Sequence, residues 1–256
     1  LRSDDYWIGY AHQDGTQWLV QRVGDAGAVG YMQTQFVGIA VDMFDEPHVA
    51  YYDASAGALR HAVKEAGVWQ TELVDDDGDV GDYPAIAVAS DNTLRIAYHD
   101  IGSAELRFAR GVWGAWHVAV VDDVFASGVD ASLVLDDEDH AHIAYARYSY
   151  PPGHEAMYAR ETDTGWNIEV AATGEAGIGA QIVLGPDGRP RIVHVNANAG
   201  NMQLSVQAAA GVWCTDALPA SSSVYAGWGD VAIDSLGRLH VSFGAFIGGV
   251  RYLVGV

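Results

Sequence analysis

Five short segments of this chain align on one another: Pro47-His48-Val49-Ala50-Tyr51, Leu94-Arg95-Ile96-Ala97-Tyr98, Ala141-His142-Ile143-Ala144-Tyr145, Pro190-Arg191-Ile192-Val193-His194 and Leu239-His240-Val241-Ser242-Phe243. Their anchors, His48, Arg95, His142, Arg191 and His240, are spaced 47, 47, 49 and 49 residues apart. A fixed period of this length restricts the chain to folds that set one supersecondary unit beside the next.

Each unit carries four strand signals bounded by Gly, Asp and Asn clusters, the pattern of a four-stranded antiparallel blade. The segments near residues 37, 85, 132, 181 and 230 read as inner strand A and the aligned segments as strand B. Segments such as Leu59-Arg60-His61-Ala62 read as strand C, and Trp69, Trp116, Trp166 and Trp213 open outer strand D. A fifth strand D would start near position 261, beyond residue 256, whereas Thr16-Gln17-Trp18-Leu19-Val20 reads as a strand D without inner strands before it. The expectation is an all-β, five-bladed β-propeller in one domain, with blades at 37–75, 84–122, 131–172, 180–218 and 229–256 plus 6–24. The N-terminal outer strand then pairs with the C-terminal blade and removes the exposed sheet edges. Residues 6–11 and 250–254 both read as strand C, so which of them completes that blade stays open.

The repeat resembles secreted bacterial propeller repeats of the form Val-Gly-x-x-x-Ser-Ile-Ala-Val-Asp, turn, Pro-His-Val-Ala-Tyr-Tyr-Asp, loop, Leu-Arg-x-Ala, Trp, best over residues 37–75. The resemblance implies fold and export and little chemistry. The lectin tachylectin is similar in ring size only. A sialidase Asp box would need a closing Thr-Trp that Asp234-Ser235-Leu236-Gly237 lacks.

The formal charge of −21, from 34 acidic against 13 basic residues, repels phosphate backbones and anionic lipid. Nucleic acid and membrane insertion are therefore not expected as partners. Cys214, the single cysteine, has no internal disulfide partner. The chain opens Leu1-Arg2-Ser3 without an initiator Met, as a mature exported or trimmed protein would. A secreted or periplasmic monomer is expected.

In a repeat protein, what every blade shares is structural and what one blade has alone is the functional candidate. The aligned tryptophans are accordingly read as packing between blades, leaving Trp113 and Trp228 outside the pattern. His140 and His142, two apart on a strand, suggest a metal site, but His142 is the repeat anchor. His194, where other blades have Tyr or Phe, is read as a satisfied interior histidine. The B-to-C and D-to-A loops diverge most and would converge on a pocket. The ligand-binding candidates there are Tyr52, Asp53, Tyr83, His99, Asp100, Asp130, Arg147, Asn196, Trp228 and Asp230. The loop Asp75-Asp76-Asp77-Gly78-Asp79 resembles an acidic calcium loop, with Asp75, Asp77 and Asp79 as metal candidates and Ca2+ as the cofactor it would hold.

Two readings of function follow. In one, the aromatic and planar polar groups bind a small polar ligand such as a glycan. In the other, a hydrolase or lyase uses His99 with Asp53 or Asp230 and Arg147, with metal assistance as a variant. Asp100 adjoins His99 on a strand and should face away from it.

Overall fold

The computed structural model describes residues 6–27, 37–148, 153–219, 229–245 and 249–254. The chain divides into two compact units, residues 1–103 with 107–120 and residues 104–106 with 121–256. The first holds the hairpin β1 (Tyr6–Asp14) and β2 (Gln17–Gly27), and a sheet of β3 (Val37–Val41), β4 (Pro47–Asp53), β5 (Ala58–Glu65) and β6 (Val68–Asp75). It also holds most of the next sheet, β7 (Val80–Val88), β8 (Leu94–Asp100), β9 (Glu105–Val112) and β10 (Ala115–Asp122).

The second unit contains the sheet β11 (Val129–Leu135), β12 (Ala141–Arg147), β13 (Glu155–Thr162) and β14 (Gly165–Ala172), and the sheet β15 (Ile178–Leu184), β16 (Pro190–Asn196), β17 (Asn201–Ala209) and β18 (Val212–Ala217). A three-stranded sheet follows, of β19 (Gly229–Ile233), β20 (Leu239–Ala245) and β21 (Gly249–Val254). All four full sheets keep the strand order A-B-C-D that the repeat predicts.

At the N-terminal end, the strand that contains residues 6–11 is the one that pairs with Trp18: β1 runs antiparallel to β2, with Trp18 opposite Gln13. The two form a two-stranded sheet, one of six sheets among the described residues, where the repeat predicts five blades.

Strand B forms the centre of each sheet and its most buried element; β4 and β8 are buried along their whole length. The core lies between neighbouring sheets. Ala50, Leu59 and Val74 of one sheet pack with Ile86, Leu94, Ile96 and Tyr98 of the next, each large side chain contributing about 1.5–3 kcal/mol by leaving water. Ala144, Tyr158 and Ala171 meet Ala180, Ile182 and Ile192 in the same way. Trp116, Trp69 and Trp213 pack partly buried against these clusters, as the packing reading requires. Trp18, by contrast, is 68% exposed.

Polar clamps complete the core. Tyr98 Oη donates to Asp75, the last residue of β6, at 2.6 Å, and Tyr145 Oη donates to Asp122, the last residue of β10, at 2.6 Å. Where the preceding strand D ends in Ala172 or Ala217 instead, the aromatic position holds His194 or Phe243. His194 is fully buried and satisfied: Gly177 N–H donates to its Nδ1, and its Nε2–H donates to Ser205 Oγ at 2.9 Å. Burial holds its pKa down at about 4.

Candidate functional site

At the B-to-C end of the sheets the predicted ligand groups are tied into the hairpins. Asp53 accepts from the amides of Ser55 and Ala56 and from Arg60 Nε at 2.6 Å, and Asp100 accepts from Ser103 and pairs with Arg107 Nη2 at 2.6 Å. Asn196 Oδ1 takes the amide of Ala199 while its Nδ2 donates to Gly174 O. Arg147 donates to Asp122 at 2.6 Å and to Glu155 at 3.5 Å. Burial works to lower the pKa of Arg147, but Asp122 outweighs it and the pKa rises.

Asp75 is buried and accepts from Tyr98 and Arg107, Asp79 accepts from Tyr52 Oη, and the Asp77 side chain is 94% exposed. The three carboxylates are engaged with different partners.

Tyr83 and Asp130 share one local feature with Gly179. All three sit at a bulge in strand A with φ of +50°, +54° and +62°, a conformation that glycine adopts freely and a tyrosine does not. Asp130 Oδ2 accepts from Gly179 N at 2.8 Å. His99 is buried with its ring edge-on to Tyr83, 6.4 Å between centroids, and Asp100 faces away from it as expected. Asp230 is exposed and accepts from Val231 N, and Trp228 lies outside the described residues.

The opposite end of the blades, at the A-to-B turns, holds what the sequence reading passed over. Wherever the anchor is His, an Asp stands six residues earlier: Asp42 with His48, Asp136 with His142 and Asp234 with His240. One carboxylate oxygen holds the turn, taking the amides of Phe44 and Glu46, of Glu138 and His140, or of Leu236 and Arg238. The other faces the histidine. Where the anchor is Arg191 that earlier residue is Gly185, and a Cβ there would run into the Arg191 guanidinium. The guanidinium occupies the space that the carboxylate takes elsewhere.

Beside two of these histidines a cleft opens between neighbouring sheets. One, of about 560 Å³, is lined by Asp136, Asp137, Glu138, His142, Tyr158 and Arg160 of the third repeat, and by Leu184 to Pro186, Gly188 to Pro190 and Gln207 of the fourth. A second, of about 250 Å³, lies between the first two repeats, where Asp42, His48, His61 and Glu65 face Asn92, Leu94 and Trp113.

Their histidines differ in proton placement. His142 Nδ1 accepts from Tyr158 Oη at 2.6 Å, so its Nε2–H donates to Asp136 at 3.2 Å. In the first repeat the residue equivalent to Tyr158 is His61, whose Nδ1 lies 2.8 Å from Glu72 Oε1 and whose Nε2 lies 2.9 Å from His48 Nδ1. Burial, followed by the neighbouring His61, lowers the pKa of His48; burial also lowers that of His142 despite Asp136. Burial tends to raise the pKa of Asp42 and Asp136, but their hydrogen bonds outweigh it and keep both ionised.

No protein-family model and no curated protein matches the chain. Solved structures do. A protein of unknown function from Dyadobacter fermentans superposes with a TM-score of 0.65 at 12% identity, covering 87% of this chain and 78% of that one. AofleA from Arthrobotrys oligospora gives 0.62 at 14%, covering 98% and 76%. A polysaccharide lyase, an ulvan lyase bound to -[GlcA(1-4)Rha3S]-, gives 0.64 at 13%, covering 93% and 72%. The repeated sheets are β-propeller blades. Identities this low speak for the fold alone.

On that fold, the 560 Å³ cleft has the size of a small-ligand site and a mixed wall. Arg160 and Arg189 are about half exposed, and Arg160 Nη2 lies 3.7 Å from Asp136. Gln207 is held by Glu169, which also accepts from Trp213 Nε1. At the rim, Asp136, Glu138 and His140 each bring a ligand atom within 4.8 Å of the others, so these three can offer a cation a partial coordination shell. They are the one such group among the described residues. The sequence hint was His140, while His142 faces inward to Tyr158.

Proposed function

We propose that this protein is an exported, monomeric glycan-binding propeller, and that its main site is the cleft between the third and fourth repeats. The observation that carries the reading is the lining: guanidinium and carboxylate groups stand around an open 560 Å³ cleft whose apolar surface comes from Leu135, Leu184, Pro186 and Pro190. Planar charged groups hydrogen-bond pairs of sugar hydroxyls, and small apolar side chains accept the sugar's C–H faces. Glycan-acting proteins among the structural relatives support it: the ulvan lyase, and an exo-β-1,3-galactanase from Phanerochaete chrysosporium with galactose at a TM-score of 0.54 and 13% identity.

The same reading counts five blades, supported by the five A-to-B hairpins among the described residues. Binding is favoured over hydrolysis because two members of the expected catalytic set are already engaged, Asp53 by Arg60 and Arg147 by Asp122. The test is a glycan array followed by calorimetry on the best ligand. Arg160→Ala should weaken binding by about tenfold or more, the worth of a charge-assisted hydrogen bond, with an unchanged melting temperature. Equal binding by wild type and Arg160→Ala would sink the assignment.

A further inference from the structure

The smaller cleft, between the first two repeats, contains a hydrogen-bonding vacancy that the larger one lacks. Glu72, His61 and His48 form a chain across β6, β5 and β4. The Glu72 carboxylate only accepts, so His61 Nδ1 carries a proton toward it and His61 Nε2 is a lone pair. His48 Nδ1–H donates to that lone pair, which leaves His48 Nε2 as a lone pair too. That atom is buried without a hydrogen-bond partner, on a side chain that is 10% exposed, and it lines the cleft. It stands 3.6 Å from Asp42 Oδ2, a second acceptor, whose only side-chain donor is Asn92 Nδ2 at 3.1 Å. In the third and fifth repeats, where a tyrosine replaces His61, the same histidine-to-aspartate distance is 3.2 Å.

Two facing acceptors in a buried cleft require a donor between them. The other titratable groups lining the cleft are Glu46 and Glu65, and no Lys or Arg lines it. Trp113 forms an aromatic wall, positioned by Gly114 N donating to Glu72 Oε2 at 2.6 Å and by its edge contact with His61. A metal ion is disfavoured, because Asp42 and His48 have no third ligand grouped with them among the described residues. A hydroxyl donates one hydrogen and would leave one acceptor bare. An ammonium donates three, matches the carboxylates in charge and suits the face of an indole.

We propose that the cleft between the first two repeats binds a protonated primary amine, seated between His48 Nε2 and Asp42 with Trp113 beside it, and that amino sugars are the ligand class. The site is separate from the larger cleft; the primary amine follows from this cleft alone, and the choice of amino sugars rests on the glycan-binding reading given above.

The experiment is calorimetric titration of the full chain at pH 7 with D-glucosamine, N-acetyl-D-glucosamine and methylammonium, paired with nitrogen-15 NMR of the imidazoles. In the free protein His48 Nε2 should resonate as an unprotonated nitrogen and shift on adding glucosamine. Glucosamine should bind at least about tenfold more tightly than its N-acetyl form, and methylammonium should compete with it. Glu72→Gln keeps an acceptor for Gly114 N and presents an N–H to His61, so the chain reverses, His48 Nε2 becomes a donor and glucosamine binding is lost. His61→Tyr places the third repeat's own residue here and should have the same effect, which covers a failure of Glu72→Gln to fold. A protonated His48 Nε2 in the free protein, equal binding of the amine and its N-acetyl form, or undiminished binding by either folded variant would overturn the proposal. Loss of binding in Arg160→Ala alone would concern the other cleft.

Discussion

The first and third repeats build the same corner from nearly the same parts and arrive at opposite polarity. In both, an Asp holds the A-to-B turn and faces the anchor histidine, and a glutamate stands on strand D opposite the strand C partner, Glu72 across from His61 and Glu169 across from Tyr158. The exchange of His61 for Tyr158 decides the rest. A tyrosine donates to the anchor and makes its far nitrogen a donor, whereas a histidine pinned by a carboxylate accepts from the anchor and makes that nitrogen an acceptor. A repeat thus keeps its scaffold while one residue on a neighbouring strand sets what the cleft asks of a ligand.

The comparison is sharpened first by a third histidine that takes part in neither corner. His194 is held neutral with a pKa near 4, below the 6.5 it has when unfolded. Between those values the unfolded chain binds a proton that the folded one refuses. Stability is therefore full above pH 6.5 and falls by about 3 kcal/mol as the pH drops to 4. Urea unfolding across that range should show the slope, and His194→Phe should reduce it; an unchanged slope in that variant would mean other groups drive it.

Next in size, Asp136→Asn should cost about 2–3 kcal/mol, because it removes a charged acceptor from His142 Nε2–H and from Arg160. Asp42→Asn should cost under about 1 kcal/mol, since its amide can donate to the lone pair of His48 Nε2 and so offset the bond lost from Asn92. Chemical denaturation of both measures the difference, and equal costs would break the assigned polarity. Tyr158→Phe leaves His142 Nδ1 buried without a donor and should lose about 1–2 kcal/mol, read from the denaturation midpoint. Tyr158→His should cost a similar amount, because it removes the proton from His142 Nε2 in the nitrogen-15 spectrum and leaves a buried lone pair facing Asp136.

The fold was legible because its signals are local and repeated. Turn residues, the buried strand B and the strand D tryptophans each recur at one period, so every blade checks the others. The ends were not, because periodicity cannot say which of two strand C copies pairs with Trp18, and pairing is decided by whichever edge is nearer. The candidate site is carried by weaker signals. Asp53, Asp100, Arg147 and Asn196 differ between blades and so resembled ligand groups, yet their variation is matched by partners on strand C: Asp53 with Arg60, Asp100 with Arg107, Arg147 with Glu155 and Asn196 with Gln203. The seven- and eight-residue spacings were visible; reading residues singly rather than in pairs hid them. The same holds for Asp42, Asp136 and Asp234, whose partner histidines stand six residues on.

Gly185 has a consequence for how such a chain can change. Arg191 fills the volume over that glycine, so a carboxylate introduced at 185 would have to displace the guanidinium, and a histidine at 191 would lack the carboxylate that its counterparts face. Each step is easier when the other accompanies it. The indivisible module is the A-to-B hairpin, and recombination or design that trades blades should cut outside it, in the B-to-C loop, so that the two positions travel together.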